Sequence, residues 1–257
     1  VFSPHTVAAV GIFNSSLSVL SAAISTGVRR FVAASSMARY GHGTPPFKED
    51  DESVPADPYG IAKLAVEHEV ELLCREHGVE YAIAIPHNVY GVGQIYTDPA
   101  RNVAGIMANL MLQGRAPIIY GDGQQTRCFS YVSDAVDCFV KMGTTDAALG
   151  RAVNIGPDDK DGCTVTVLEL ARTIARLTGF SGEPVHVPAR PCEVKHALCS
   201  SNLARQLLGY KTTVGLEEGL SRMVAWIKKR GPRPFNYNLP LEIVNERTPR
   251  TWTERMF

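Results

Sequence analysis

Arg30-Phe-Val-Ala-Ala-Ser-Ser-Met-Ala-Arg-Tyr-Gly41 and, after a polar loop, Asp57-Pro-Tyr-Gly-Ile-Ala-Lys-Leu-Ala-Val66 decide how the chain is read. Phe31 to Ser35 is a short apolar run ending in serines, the pattern of a buried parallel strand. Asp57-Pro58 joins a helix-capping residue to a first-turn proline, and an amphipathic helix is expected to follow. Tyr59 and Lys63 are four apart and share one face of that helix. Ser36 falls at the carboxyl end of the strand, where open α/β sheets bind their ligands. A hydroxyl, a phenol and an ammonium converging there form an acid/base set. An unperturbed phenol titrates near about 10, too high for work at neutral pH, so Lys63 is expected to favour the phenolate of Tyr59.

On the amino-terminal side, Val7, Val10, Phe13, Leu17 and Leu20 recur at helical spacing up to Ser25, and Gly27 closes the pattern. On the other side, the loop 37–56 is polar, and the helix carrying Tyr59 is expected to end near Gly78. Tyr81 to Pro86 reads as a further buried strand feeding His87-Asn-Val-Tyr-Gly91, where Asn88 is a turn residue before a glycine. A helix is expected over 100–113, then a strand and tight Asp-Gly turn over 117–123. Thr126 to Val132 reads as a strand, with Ser133-Asp134 capping a helix to Met142. Further on come a strand at 152–156, a helix from Thr164 to Gly179, a short strand at 184–188, and closing helices at 201–209 and 215–229. The proline- and charge-rich tail after Gly231 is expected to pack over the domain or meet a partner rather than do chemistry.

Composition bounds the function. Lysine plus arginine and aspartate plus glutamate both number 26, so the net charge is zero. Nucleic acid and acidic membrane surfaces, which call for a basic excess, are therefore not expected partners. No uninterrupted apolar run approaches the roughly 18 residues of a membrane span, and no signal peptide is evident. The six cysteines (Cys74, Cys128, Cys138, Cys163, Cys192 and Cys199) lack CxxC spacing. Free thiols in a reducing cytoplasm are expected, with no metal site.

The quoted stretch resembles the extended short-chain dehydrogenase/reductase family, and within it the sugar-nucleotide epimerases and dehydratases. Ser35-Ser-Met-Ala-Arg-Tyr-Gly41 is similar to the family's serine-rich strand end, and Tyr59-Gly-Ile-Ala-Lys63 to its YxxxK motif. His87-Asn-Val-Tyr-Gly91 resembles the RxxNVYG turn, Tyr120-Gly-Asp-Gly-Gln-Gln-Thr-Arg-Cys-Phe-Ser-Tyr-Val-Ser-Asp134 the YGDGxQTRDFxYVxD run, and Ala189-Arg-Pro-Cys-Glu193 an RPGD-like turn. The resemblance implies a Rossmann-type doubly wound parallel sheet, incomplete at its amino-terminal end, with a smaller carboxyl-terminal α/β substrate-binding domain. The nucleotide-binding part would comprise 1–88 and 124–157, and the substrate domain 89–123 and 158–257.

The same resemblance implies NAD as cofactor and a nucleoside-diphosphate sugar, UDP-linked, as substrate, in a cytoplasmic homodimer. Ser36, Tyr59 and Lys63 would be catalytic, and Ser35, Tyr59, Lys63 and Pro86 would contact NAD. Asn88, Arg127, Arg190 and Glu193 would hold the diphosphate and ribose. A planar guanidinium suits Arg127 and Arg190 to that task, because it pairs phosphate oxygens in bidentate fashion. Met37 and Ala38 would face the sugar, Ile118 and Tyr120 the base, and Asn102 and Val103 the diphosphate through their backbone. The implied activity is 4-epimerisation of a UDP-hexose or UDP-hexuronic acid through a transient 4-keto sugar. Decarboxylation, 4,6-dehydration and non-catalytic binding are the alternatives. Met37 and Ala38 cannot move a proton, which favours epimerisation.

The chain departs from the family in places. The glycine fingerprint that cradles dinucleotide phosphates is absent from these residues, and Gly11 sits inside a helix pattern. These residues alone are therefore expected to bind NAD poorly. Ile12 stands where relatives place a proton-relaying asparagine; Asn14, two positions on, is roughly 200° around the helix and cannot replace it. Pro86-His87 replaces an aromatic pair, and Cys128 an aspartate. Arg39 is a candidate partner for a hexuronate carboxylate, but the strand pattern points it away from the site.

Overall fold

The computed structural model describes residues 6–190, 193–238 and 241–257. In chain order, its first half runs α1 (Thr6–Ser25), β1 (Arg30–Ala34), α2 (Pro58–His77), β2 (Glu80–Pro86), β3 (Val89–Tyr90), α3 (Val103–Leu112), β4 (Ile118–Tyr120), β5 (Thr126–Cys128), β6 (Ser130–Tyr131) and α4 (Val132–Met142). The second half runs β7 (Ala152–Ile155), β8 (Thr164–Thr166), α5 (Val167–Thr178), β9 (Val185–Val187), β10 (His196–Ala197), α6 (Asn202–Leu208), α7 (Leu216–Arg230) and α8 (Arg250–Thr253).

The central sheet is parallel, in the order β1-β2-β7, with Phe31 beside Tyr81 and Ala84 beside Val153. Its middle strand shows why both faces are covered. Tyr81 and Ile83 turn toward Leu20 of α1 and Val66, Val70 and Cys74 of α2, while Ala82 and Ala84 turn toward α4 and α6. A strand buried on both sides reads as the unbroken apolar run seen here. The expectation of a fully buried strand fails for β1, which is the edge of this sheet: Ala33 is buried and Ala34 exposed. Because the strands are parallel, Ser36 after β1 and Asn88 after β2 emerge at the same edge.

The start of α2 is set locally. Asp57 Oδ1 accepts from the Gly60 amide at 2.7 Å, Pro58 occupies the first turn, and Gly78 ends the helix in a left-handed conformation at φ 68°. Other expectations need correction. α5 begins at Val167, not Thr164; Thr166 and Glu169 form its reciprocal cap, and Thr164 is in a strand. Asp134 does not cap α4. Its buried carboxylate accepts from Thr213 Oγ1 and from the amides of Thr213, at 2.9 Å, and Val214. A second core packs α3, α5 and α7 around Met107, Leu170, Ile174 and Met223.

In α1, Leu20 is fully buried but Val10 and Val19 are 58% and 60% exposed. The stretch Ala8–Ser25 reaches a mean hydropathy of 1.5, long and apolar enough to cross a membrane. This corrects the sequence reading, because interspersed serines break the apolar run without lowering its average much. Ser15, Ser18 and Ser25 turn their hydroxyls onto the helix's own carbonyls, as Ser18 does to Asn14 O at 2.9 Å. The tail packs over the second core as expected: Tyr96 donates to Gly231 O and Asn109 to Arg233 O, both at 2.9 Å, and Trp252 is buried. The side chain of Val7 and the whole of Cys192 lie outside the described residues. Cys74, Cys128, Cys138, Cys163 and Cys199 are free and buried.

Candidate active site

A cavity of about 700 Å³ opens along the carboxyl edge of the sheet. Ser36, Met37, Ala38, Tyr59, Pro86, Asn88, Asn102, Arg127, Arg190 and Glu193, ten of the residues singled out from sequence, line it together. α1 contributes Ile12 to the same wall, while Asn14 is exposed on the helix surface, as its angular position required.

At the sheet end, Ser36 accepts from the Ala38 amide at 3.3 Å and so starts a single helical turn, Met37–Arg39. The tyrosine helix sits directly on this turn because Gly60 has no side chain. A Cβ there would come within 2.5 Å of the Ala38 carbonyl oxygen. Tyr59 is brought against Ser36 by this approach. Burial raises the Tyr59 phenol above its ordinary value; the Ser36 hydrogen bond and the charge of Arg101 oppose this, and Asp57 adds to it. The expected lowering by Lys63 is not among these effects. The Lys63 ammonium instead donates to Ala34 O at 2.9 Å and lies 5.9 Å from the Tyr59 ring centroid. Burial depresses its pKa, and the charge of Glu67 opposes that.

Sequence reading missed Glu67. One turn beyond Lys63, its buried carboxylate accepts from Ser35 Oγ and pairs with Arg39 Nη1 at 2.6 Å. Ser35 borders the cavity, with its hydroxyl engaged by Glu67. Arg39 points away from the cavity, as the strand pattern indicated. The spacing Tyr59, Lys63, Glu67 on one helical face was the available signal. Behind the β2 end, His87 is wholly buried and kept neutral, its pKa pushed down to about 4 by burial. Its Nε2 lies 3.4 Å from Asn154 Oδ1, which also accepts from Tyr40 at 2.9 Å.

At the other end, Glu193 Oε1 accepts from Arg190 at 2.9 Å and lies 3.5 Å from Arg127 Nη2. Two guanidiniums share one carboxylate, leaving an excess positive charge in a mostly enclosed place, which favours an anion. Burial lowers the pKa of Arg127, with Glu193 opposing. Arg190 also stacks on Tyr120 at 4.3 Å, and its buried Nε has no partner among the described residues. Asn88 adopts φ 34° and donates to Cys128 O at 2.9 Å, tying the end of β2 to β5. Asparagine tolerates this left-handed backbone better than most residues.

The structure does not bring every expected residue to the cavity wall. Ile118 is buried in β4, and the side chain of Val103, the first residue of α3, packs on the second core, so that only its backbone is left for the expected contact. Tyr120 is held behind Arg190, its hydroxyl hydrogen-bonded to Thr251 of the tail. Lys63 sits outside the wall at the β1 edge.

A sequence model of the NAD dependent epimerase/dehydratase family matches residues 10–156. The chain is 32% identical over 209 residues to a UDP-glucose 4-epimerase of Mycolicibacterium smegmatis, covering 79% of this chain and 64% of that protein. It is 30% identical over 232 residues to a UDP-N-acetyl-alpha-D-glucosaminuronate decarboxylase of Bacillus cytotoxicus, covering 84% and 69%. Among solved structures it resembles a UDP-glucuronic acid 4-epimerase of Bacillus cereus in complex with UDP-glucuronic acid and NAD, with a TM-score of 0.78, 26% identity, and coverage of 86% and 68%. The chain belongs to the NAD dependent epimerase/dehydratase family, with its Rossmann-type α/β fold. It spans less than two thirds of the length of the Mycolicibacterium relative.

Proposed function

We propose that this chain serves an NAD-dependent 4-epimerase of a UDP-hexose or UDP-hexuronic acid. One observation carries the reading: a single cavity joins the Ser36–Tyr59 hydroxyl pair to the two-arginine cluster of Arg127 and Arg190. Ser36 orients the sugar 4-hydroxyl, and Tyr59 takes its proton and later returns it. Arg127, Arg190 and Asn88 hold the diphosphate while the sugar turns, with Glu193 toward the ribose. Tyr120 backs Arg190 rather than meeting the base itself.

The chain's residues fit the nicotinamide-ribose end of NAD. Lys63 uses one ammonium hydrogen on Ala34 O and has two more to offer ribose hydroxyls, beside Tyr59 and Pro86. With its pKa raised, the Tyr59 phenol carries its proton at neutral pH, the form needed to return it. Taking a proton needs positive charge beyond that of Arg101, since Ser36 offers only a hydrogen bond. NAD, when bound, supplies that charge in its oxidised form and accepts and returns the sugar hydride.

Met37 and Ala38 in the wall favour epimerisation, since neither can serve the acid/base steps of dehydration. Incubating the protein with NAD and either UDP-glucose or UDP-glucuronate, and following products by NMR, tests this. The C4 epimer should accumulate with C6 retained. A 4-keto-6-deoxy sugar or a pentose as main product overturns it, and bound UDP without turnover favours a non-catalytic relative. In the same reading 1–88 and 124–157 hold the nucleotide and 89–123 and 158–257 the substrate. The outer faces of α1 and α2, with Val19, Ile61 and Leu72 exposed, would meet a second copy in a homodimer. The free cysteines suit the cytoplasm.

A further inference from the structure

Two arginines in the cavity are explained by the diphosphate; a third is not. Arg101 follows β3 and precedes α3, lines the same cavity, and keeps its side chain 57% exposed. Its Nε alone is engaged, donating to Asp98 Oδ2 at 3.1 Å, while Asp98 Oδ1 accepts from the Ala100 amide at 2.9 Å. Among the described residues, neither terminal nitrogen of Arg101 makes a hydrogen bond. Its guanidinium is thus held by one edge and presents the other, the geometry that pairs a carboxylate through two parallel bonds. It lies close enough to Tyr59 for its charge to act on the phenol, whereas Arg127 feels Glu193 and Arg190 instead. The cavity therefore has a cation at each end: the pair at the diphosphate end and Arg101 at the end where the sugar would react.

The other charges lining this end are Asp57 and Asp98, and Lys63, outside the wall, lies 5.9 Å from the Tyr59 ring and donates to Ala34 O. Asp57 is occupied in capping α2 through the Gly60 amide, and Asp98 in orienting Arg101. Arg39, the cation that sequence offered for an acidic sugar, is closed off by Glu67. Met37 and Ala38 add no charge to the wall.

We propose that Arg101, oriented by Asp98, is a specificity-determining residue that selects a sugar nucleotide bearing a carboxylate on the hexose, a uronate over the neutral hexose. This rests on the reading of the cavity as a UDP-sugar site and adds the class of sugar. A charge-assisted pair at a partly exposed position is expected to favour UDP-glucuronate over UDP-glucose by about tenfold in Kd. The preference shrinks as salt is raised, since the guanidinium is open to screening.

Calorimetric titration of the full chain with UDP, UDP-glucose and UDP-glucuronate tests it without requiring turnover. Arg101→Met should bring the two sugar nucleotides to equal affinity and leave UDP unchanged, and Arg101→Lys should restore only part of the preference. Equal affinities in the unaltered protein, or a preference that survives Arg101→Met, overturns the proposal. So does an equal weakening of all three ligands by Arg101→Met, which would make Arg101 a phosphate contact. Failure of UDP itself to bind instead removes the UDP-sugar reading, and this inference with it.

Discussion

The two ends of the cavity are built differently. The Ser36–Tyr59 end comes from one strand end and one helix, 23 positions apart in the chain and brought together by a cap, a proline and a glycine. The anion end gathers Tyr120, Arg127, Arg190, Glu193 and Thr251, from two strands, a turn and the tail. At the first end, positions follow from helical period and turn chemistry. At the second they follow only from how distant segments pack. The first should tolerate little chemical change and fold as a unit; the second should respond through affinity.

The largest expected effect lies at the first end. Tyr59→Phe keeps the ring and its packing but removes the proton carrier, so turnover should fall by about 10²–10⁴ with the melting temperature unchanged. Steady-state rates where chemistry is limiting, beside a thermal scan, check both halves. Retained turnover would dissolve the distinction between the ends.

Next comes the carboxylate behind that tyrosine. Glu67→Ala strands the buried Arg39 and frees Ser35, so stability should drop by about 3–5 kcal/mol in urea unfolding. Replacing both partners, Glu67→Gln with Arg39→Met, should recover most of the loss. A loss below about 1 kcal/mol in the single variant would mean that solvent reaches the pair, as it does in surface ion pairs.

A pH dependence should accompany it. The pKa of His87 falls from about 6.5 in the unfolded chain to about 4 when folded, so the unfolded state binds more protons between these values. Stability therefore drops as pH falls through that window, by up to about 3 kcal/mol from this residue. Unfolding curves of the protein and of His87→Gln between those limits isolate the contribution: the variant's profile should be flatter. An identical slope in both would exonerate His87.

At the anion end effects should be smaller and confined to binding. Arg190→Ala is expected to weaken UDP by about 30-fold, the low end for removing one partner of an enclosed charge pair. Thr251→Val, which leaves Tyr120 without its hydroxyl partner, should cost only a few-fold. Calorimetry that ranks Thr251→Val above Arg190→Ala would place the anchor in the tail rather than in the arginine cluster.

This contrast also explains what could be read in advance. β1, α2 and β2, the Asp57 cap and the Gly78 stop carry their signals within a few residues, and all appear where the spacing placed them. Arg127, Arg190 and Glu193 were named through family motifs, yet nothing local to 127 foretells a partner at 193. Asp134 looked like a helix cap because capping is the common use of an aspartate before an apolar helix. Its partners, Thr213 and Val214, have no local mark. Arg101 and Asp98 were passed over for the same reason: a short loop between a strand and a helix has no period to interpret. Ile118 shows the same limit: a resemblance fixes a position along the chain but not the direction of a side chain, and this one is buried away from the cavity wall.

The contact under Gly60 has a consequence for how this protein can vary. An added methyl group would strike a backbone oxygen, and backbone cannot rotate aside as a flexible side chain does. Saturation mutagenesis at position 60 should therefore return glycine and nothing else, while Glu76, exposed near the end of the same helix, should accept many residues. The helix and the strand-end turn are in this sense a single inherited part. Variation that retunes the sugar or the partner must arise elsewhere in the chain, on loops such as the one bearing Arg101.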